Sequence, residues 1–292
     1  MSHTQYNIYW NTNYTASEYT FDTTRKSGHI AEAIRAGGAE VALVDPDAFT
    51  ERATELIRSV HDLEYVAAVT TGSPDGLAMS QGFDWDPGIP TMAIAHSAGL
   101  VAGVTEVLSG PGRVAGSLSS GLHHARADRG TGFCTFNGLV VATRAAFDLG
   151  AERILVLDLD AHCGGGTRSM TDPEQVVQID VSTIRFDRWM PSGHNALLFT
   201  DRDDYLEQVD AALELADRAG SFDLVLYNAG MDPVTDSRVS AADISIREQR
   251  VADWAGGHDY PLVFALAGGY TRGTVTMDQL VDLHLTTVRS FA

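Results

Sequence analysis

An α/β fold in three layers, α/β/α, with a mainly parallel central sheet is what this sequence predicts. Two regularities carry the prediction. Short apolar, β-rich runs alternate with longer helical stretches along the 292 residues, and strands that alternate with helices pair in parallel and are covered on both faces. The later runs also end in glycine-bearing loops that carry acids, histidines or a tyrosine. In open α/β sheets ligands sit outside the carboxyl ends of the strands.

In chain order, the strand-like runs are 7–10, 40–44, 113–118, 153–158, 175–181, 223–227 and 262–267. The helical stretches between and after them are 27–36, 50–60, 91–108, 139–149, 203–219, 245–255 and 274–290. Residues 72–90 are rich in Gly, Pro and Asp and read as a surface loop inside the fold. There is no repeat, low-complexity tract or linker. Residues 1–292 therefore read as a single domain, long for a typical one but ordinary for a large α/β unit.

Composition bounds the function. Hydrophobic residues make up 44% of the chain, enough for a substantial core. No apolar run reads as long enough to cross a bilayer. The opening MSHTQYNIYW lacks the basic-then-apolar pattern of a signal peptide. Cys134 and Cys163 are the two cysteines, too few for a disulfide framework, and a reducing cytoplasm is the expected location. The net charge is −19, with Lys26 the only lysine. Such a chain repels nucleic acid and anionic membranes and attracts cationic substrates, such as a lysine side chain or a polyamine. The simpler account of the charge is solubility.

The stretch RILVLDLDAHCGGGT, 153–167, poses the chemical question. A run that apolar ends in Asp158, Asp160 and His162, which share one face if the strand stays extended. Acids are rarely buried unless paired or metal-bound. Singly, Asp160 could cap a turn, His162 could be a core histidine, and Asp232, before Pro233, could be a turn residue. Together, at two converging strand ends, the three make a ligand set for a divalent ion, with a position left for water or substrate. Asp158 lies one layer back, where a carboxylate commonly orients a histidine. His123–His124, in the loop after 113–118, supplies that histidine and an acid–base group of the right pKa. Attack on an amide carbonyl also needs an electrophile opposite the metal, and Tyr270 in AGGYT can serve.

These motifs, SGLHHARADRGTGFCTFN, ILVLDLDAHCGGGT, LVLYNAGMDP and ALAGGYTRG, resemble in matching order the zinc-dependent histone deacetylase family, over roughly residues 60–280. VHDLEYVAAV and IDVSTIRFDRWMPSG also match family segments. The motifs look closest to the class IV branch. Bacterial acetylpolyamine amidohydrolases and acetoin-utilisation proteins belong to the same superfamily. The resemblance implies an arginase/deacetylase-like fold and hydrolysis of an N-acylated amine: acyl-lysine, an acetylated polyamine or a small metabolite. It implies that Asp160, His162 and Asp232 bind Zn²⁺, though such a site also accepts Fe²⁺. It makes His124 the general base and acid, His123 an electrostatic neighbour backed by Asp158, and Tyr270 the group that polarises the carbonyl. Gly132 and Phe133 match one wall of an acyl tunnel, with Trp189 and Met190 where the facing aromatic lies. Asp158, Asp160, His162, Ser182 and Thr183 match a structural K⁺ site. Arg25 aligns loosely with an arginine near the floor of the site and Asp84 with a rim acid. Family members span monomers to tetramers, so a homo-oligomer is within expectation.

Two departures matter. The family's metal loop usually runs D-x-H-H/Q-G-N/D-G; here Cys163 and Gly165 replace two of its residues. The lost Asn or Asp normally supports the second histidine, so Gly165 is expected to weaken or retune His124, and Gly165→Asn to raise the rate. Cys163 beside a ligand raises redox sensitivity, although a lone buried cysteine is more often inert. An arginase-type ureohydrolase with two metal ions is the first alternative, but Gly164 stands where its further metal-binding Asp is needed. A catalytically weak acyl-amine binding module is the second; a mere binder has no use for the full acid–base set.

Overall fold

The computed structural model describes residues 6–18, 22–271 and 275–292. Among these residues eight strands form one sheet: β1 (Asn7–Tyr9), β2 (Ala42–Val44), β3 (Val114–Ser117), β4 (Ile154–Asp158), β5 (Val176–Ser182), β6 (Ala196–Phe199), β7 (Leu224–Asn228) and β8 (Leu262–Ala265). Their order is β2-β1-β3-β8-β7-β4-β5-β6 and every pairing between them is parallel. All eight carboxyl ends therefore lie along one edge.

The central strands are apolar because both faces are covered. All five residues of β4 are buried. Ile154 and Val156 pack with helices Thr50–Val60, Leu63–Thr71, Gly88–Ser109 and Gly138–Asp148 on one face. Leu155 and Leu157 pack with helices Asp22–Arg35, Tyr205–Ala219, Ala241–Gly257 and Met277–Ser290 on the other. Each such fully buried Leu, Ile or Val contributes about 1.5–3 kcal/mol. The helices start where local chemistry permits. Asn137 caps Gly138–Asp148 by accepting from the Val140 N–H, and Ser240 with Asp243 and Thr276 with Gln279 form capping boxes.

The sheet agrees with the α/β/α expectation, and the differences have causes. β6 was not foreseen: ALLF is short, half-buried and paired only with β5, so it lacks the signal of a buried strand. Helix Leu63–Thr71 lies between the predicted elements, and the loop expected at 72–90 holds the turn of helix Asp75–Ala78 and the start of Gly88–Ser109. That last helix corrects the reading of the apolar runs. It is long and apolar enough to cross a membrane by length and composition. In the fold it is mostly buried, packed against β3 and helices Thr50–Val60 and Gly138–Asp148.

Candidate metal and catalytic centre

The loops after β3, β4, β7 and β8 meet at the carboxyl edge, where the strand order reverses direction. Asp158 ends β4 and the chain then turns tightly. Asp160 Oδ1 accepts the His162 backbone N–H at 2.9 Å, which bends the loop so that Asp160 and His162 face the same space. From β7, Asp232 opens the short helix Asp232–Ser237, with Pro233 suited to its first turn. His162 Nδ1 lies 3.1 Å from Asp160 Oδ1 and 3.2 Å from Asp232 Oδ2. One donor atom from each residue lies within 4.8 Å of the others. Among the described residues this is the cluster of three such groups able to hold a metal ion.

The backbone approaches these carboxylates closely. Gly268 sits at φ +59°, and a Cβ there would lie 2.6 Å from Asp232 Oδ1 and 2.8 Å from Asp160 Oδ2. The Gly269 N–H donates to Asp232 Oδ1. Charge is concentrated here. Against the cost of burial, the two carboxylates hold the His162 ring up at about 10. Burial and the Asp160 charge raise Asp232. The donor set, one imidazole and two carboxylates, fits a divalent ion such as Zn²⁺.

The histidine pair sits on the loop after β3. Asn137 holds that loop, its side-chain amide donating to the His123 and Ala125 carbonyls. His123 is buried, with Nδ1 2.6 Å from Asp158 Oδ2. Asp158 Oδ1 accepts from Asn228 Nδ2 at 2.8 Å, so the carboxylate is fixed from both sides. His124 Nδ1 lies 3.0 Å from Asp187 Oδ2. The two Nε2 atoms are 3.1 Å apart. With each Nδ1–H directed at a carboxylate, a single proton fits between the Nε2 atoms. Burial lowers both rings, but Asp158 outweighs it at His123, which rises to about 9. Burial and the neighbouring His123 take His124 down to about 4. His123 is thus the charged partner and His124 the neutral one, a division of roles typical of acid–base sites.

These groups line a cavity of about 340 Å³ with His123, His124, Asp160, His162, Asp232 and Tyr270 on its surface. Gly132 and Phe133 form one wall. Phe133 is backed by Phe83, with ring centroids 5.4 Å apart, so part of the 72–90 segment supports the site. The facing aromatic is Phe186, stacked edge-on against His124 at 4.8 Å. The structure thereby corrects the placement of Trp189 and Met190. Trp189 is buried and donates its Nε1–H to Asp180 Oδ2 at 2.7 Å, and Met190 is 79% exposed; neither lines the cavity. The aromatic meant for the wall comes three residues earlier.

Other loosely aligned residues also move. Arg25 is exposed, whereas Lys26 is buried and donates to the Gly268 carbonyl. Burial lowers the Lys26 ammonium to about 7 against the pull of Asp232 and Asp160. Asp84 is exposed and is not part of the cavity lining. Cys163 is buried, and burial pushes its thiol up to about 12, a setting that disfavours the thiolate. The expectation that His124 lacks a carboxylate partner is corrected by Asp187.

Sequence reasoning missed Arg247. It is fully buried in helix Ala241–Gly257 and donates through Nη1 to the Leu159 carbonyl at 3.2 Å and the Gly230 carbonyl at 2.7 Å. It braces the loops that carry Asp160, His162 and Asp232 from beneath. An arginine in the middle of a helix carries no sequence signal that separates this role from solvent exposure.

Residues 20–196 match the histone deacetylase domain family. Histone deacetylase 2 of Arabidopsis thaliana is 32% identical over 183 residues, 57% of this chain and 47% of that protein, so the chain spans about half the length of this relative. Among solved structures, the HDA15 HD domain superposes with a TM-score of 0.79 at 19% identity, covering 99% of this chain and 90% of that one. An acetylpolyamine aminohydrolase from Burkholderia pseudomallei gives 0.76 at 18% identity, with 98% of each chain covered. At these identities the two structures establish the same α/β fold.

Proposed function

Because the chain belongs to the histone deacetylase family, we propose that it is a metal-dependent amidohydrolase that releases an amine from an N-acylated substrate. One observation carries the reading: the Asp160–His162–Asp232 donor set shares one cavity with His123, His124 and Tyr270. Zn²⁺ is the ion the donors fit, and Fe²⁺ suits the same set. When bound, it supplies Lewis acidity at the acyl carbonyl.

The protein's own groups do the rest. His124, its Nδ1–H directed at Asp187, takes the proton of the attacking water at Nε2 in exchange for the hydrogen bond from His123. It then returns a proton to the departing amine nitrogen as the C–N bond breaks. His123, held charged by Asp158, stabilises the negative charge that develops nearby. The Tyr270 hydroxyl stays protonated, since burial and Asp232 raise it, and it donates a hydrogen bond to the carbonyl oxygen. Gly132, Phe133 and Phe186 flank the acyl chain.

The substrate class is an N-acylated amine, acyl-lysine or an acetylated polyamine, and of these the acetylated polyamine keeps an ammonium group after acylation. The net charge of −19 favours the polyamine, and the Burkholderia structure bears the name of an acetylpolyamine aminohydrolase. A K⁺ ion is proposed at Asp158, Asp160, His162, Ser182 and Thr183; among the described residues the buried Ser182 hydroxyl has no partner beyond the Cys163 thiol. We assign residues 1–292 to one catalytic domain. A reducing cytoplasm suits its two free, buried cysteines. The test is amine release from acetyl-lysine, octanoyl-lysine and acetylputrescine by protein of measured metal content. Turnover that falls about 10²–10⁴-fold in Tyr270→Phe with metal retained supports the reading. No turnover of any of the three at one metal per chain sinks it.

A further inference from the structure

We propose that Asp187 is the positioning residue of His124, and that Gly165 is a glycine in order to admit it. The proposal rests on the amidohydrolase reading. Asp187 lies on the loop between β5 and β6, outside the metal loop, yet its carboxylate is almost wholly buried at 5% exposure. Oδ2 accepts from His124 Nδ1 at 3.0 Å and from the Gly166 N–H at 2.9 Å. Oδ1 accepts from the Arg126 guanidinium, which is 29% exposed and borders the site from the histidine loop. Every polar contact of the carboxylate is thus with the metal loop or the histidine loop.

The backbone is shaped for this approach. Asp187 adopts φ +58°, a left-handed conformation that Asp and Asn tolerate better than most residues. A Cβ on Gly165 would lie 2.2 Å from the Asp187 carbonyl oxygen and 2.5 Å from Oδ1. Any side chain at 165 therefore displaces the segment that holds Asp187. The Cys163 N–H donates to the Phe186 carbonyl at 3.0 Å and pins the same segment to the metal loop. Phe186, the cavity wall, and Asp187, the partner of the base, are consecutive. One loop thus sets both the acyl wall and the orientation of His124.

Gly165→Asn is therefore expected to lower the rate rather than restore it. The direct test is Asp187→Asn, which keeps shape and left-handed backbone but loses the charge and presents an amide N–H₂ to either Arg126 or His124. Expected is a kcat loss of about 10–100-fold with KM within about twofold, and unchanged melting temperature and metal content. A second readout needs no turnover: the ¹⁵N and ¹H signals of His124 Nδ1–H, followed by NMR in parent and variant. The proposal predicts a protected Nδ1–H in the parent that is shifted or lost in Asp187→Asn. An unchanged kcat in the variant, or an unchanged Nδ1–H signal, overturns it. A parent that fails to turn over any acyl-amine defeats the amidohydrolase reading alone; the NMR comparison still decides the role of Asp187.

Discussion

Two groups of buried charge lie on either side of the same pair of loops, and they are built on opposite principles. Below the loops, Arg247 and Glu248 are both fully buried. Arg247 is matched by Glu248, the Tyr205 hydroxyl at 3.0 Å and two backbone carbonyls, and Glu248 also accepts from the Tyr227 hydroxyl at 2.9 Å. Protein groups satisfy that charge within the core. Above the loops, Asp160 and Asp232 are brought together with His162 between them and the Lys26 ammonium, itself weakened by burial, behind. Like charges gathered at that range oppose folding; the arrangement makes sense as a seat for a cation. Burial alone does not mark a metal seat: what marks it is a pair of buried acids that share one imidazole and open onto the cavity.

The strongest way to break this contrast is Asp232→Asn. Loss of one carboxylate should remove bound metal and lower kcat/KM by at least about 10³-fold, the several kcal/mol that Lewis acidity supplies. The same change should stabilise the metal-free protein by about 1–3 kcal/mol, because relief of the burial cost and of the repulsion with Asp160 outweighs the lost ion pair with His162. Added Zn²⁺ should raise the melting temperature of the parent but not of the variant. Calorimetry with and without zinc checks both signs. A metal-free variant less stable than the metal-free parent would mean that the acids are satisfied by the protein itself.

Arg247→Met probes the other group. It leaves Glu248 buried without its ion partner and removes the donor to Leu159 and Gly230. Denaturant unfolding should show a loss of about 3–5 kcal/mol, and replacing Glu248 by Leu in the same protein should recover part of it. Metal affinity should fall as well, since Leu159 and Gly230 lead directly into the ligand loops. A neutral effect on stability would erase the distinction drawn here.

The same contrast explains what was legible in the sequence. Asp160, His162, Asp232 and the histidine pair follow strand ends, and a strand end is marked by an apolar run that stops; their gathering was readable because topology alone brings them to one edge. β4 and β7 were clear for the same reason. Asp187 and Phe186 lie in an irregular loop, where no periodicity fixes which side chain turns inward. The resemblance placed the wall aromatic at Trp189, and only the turn through Asp187 at φ +58° decides that Phe186 faces the cavity. Gly165 was read as a loss because a missing carboxylate is visible in sequence, whereas one that returns from a distant loop is not. Arg247 was hidden because a buried salt bridge between adjacent helical residues looks like an exposed one.

Asp180 offers the smallest and sharpest test. It too is a buried carboxylate beside the metal loop, paired in register with Asp158, and burial together with Asp158 lifts it to about 7. Yet it receives the Trp189 Nε1–H at 2.7 Å, the Gly164 N–H at 2.8 Å and the Gln178 amide at 2.9 Å. With three protein donors and no place on the cavity wall, Asp180 belongs with the internally satisfied charges, and Trp189 is a strut. Trp189→Phe should then cost about 1–2 kcal/mol of stability through the lost donor and leave KM for acyl-lysine unchanged. Phe186→Ala should do the reverse. Its ring is 48% exposed, so little stability is at stake, but KM should rise roughly fivefold, about 1 kcal/mol of lost contact with the acyl chain. Measuring both variants on acetyl- and octanoyl-lysine separates the two aromatics. A KM that responds to Trp189 and not to Phe186 would return the wall to the position the sequence alone proposed.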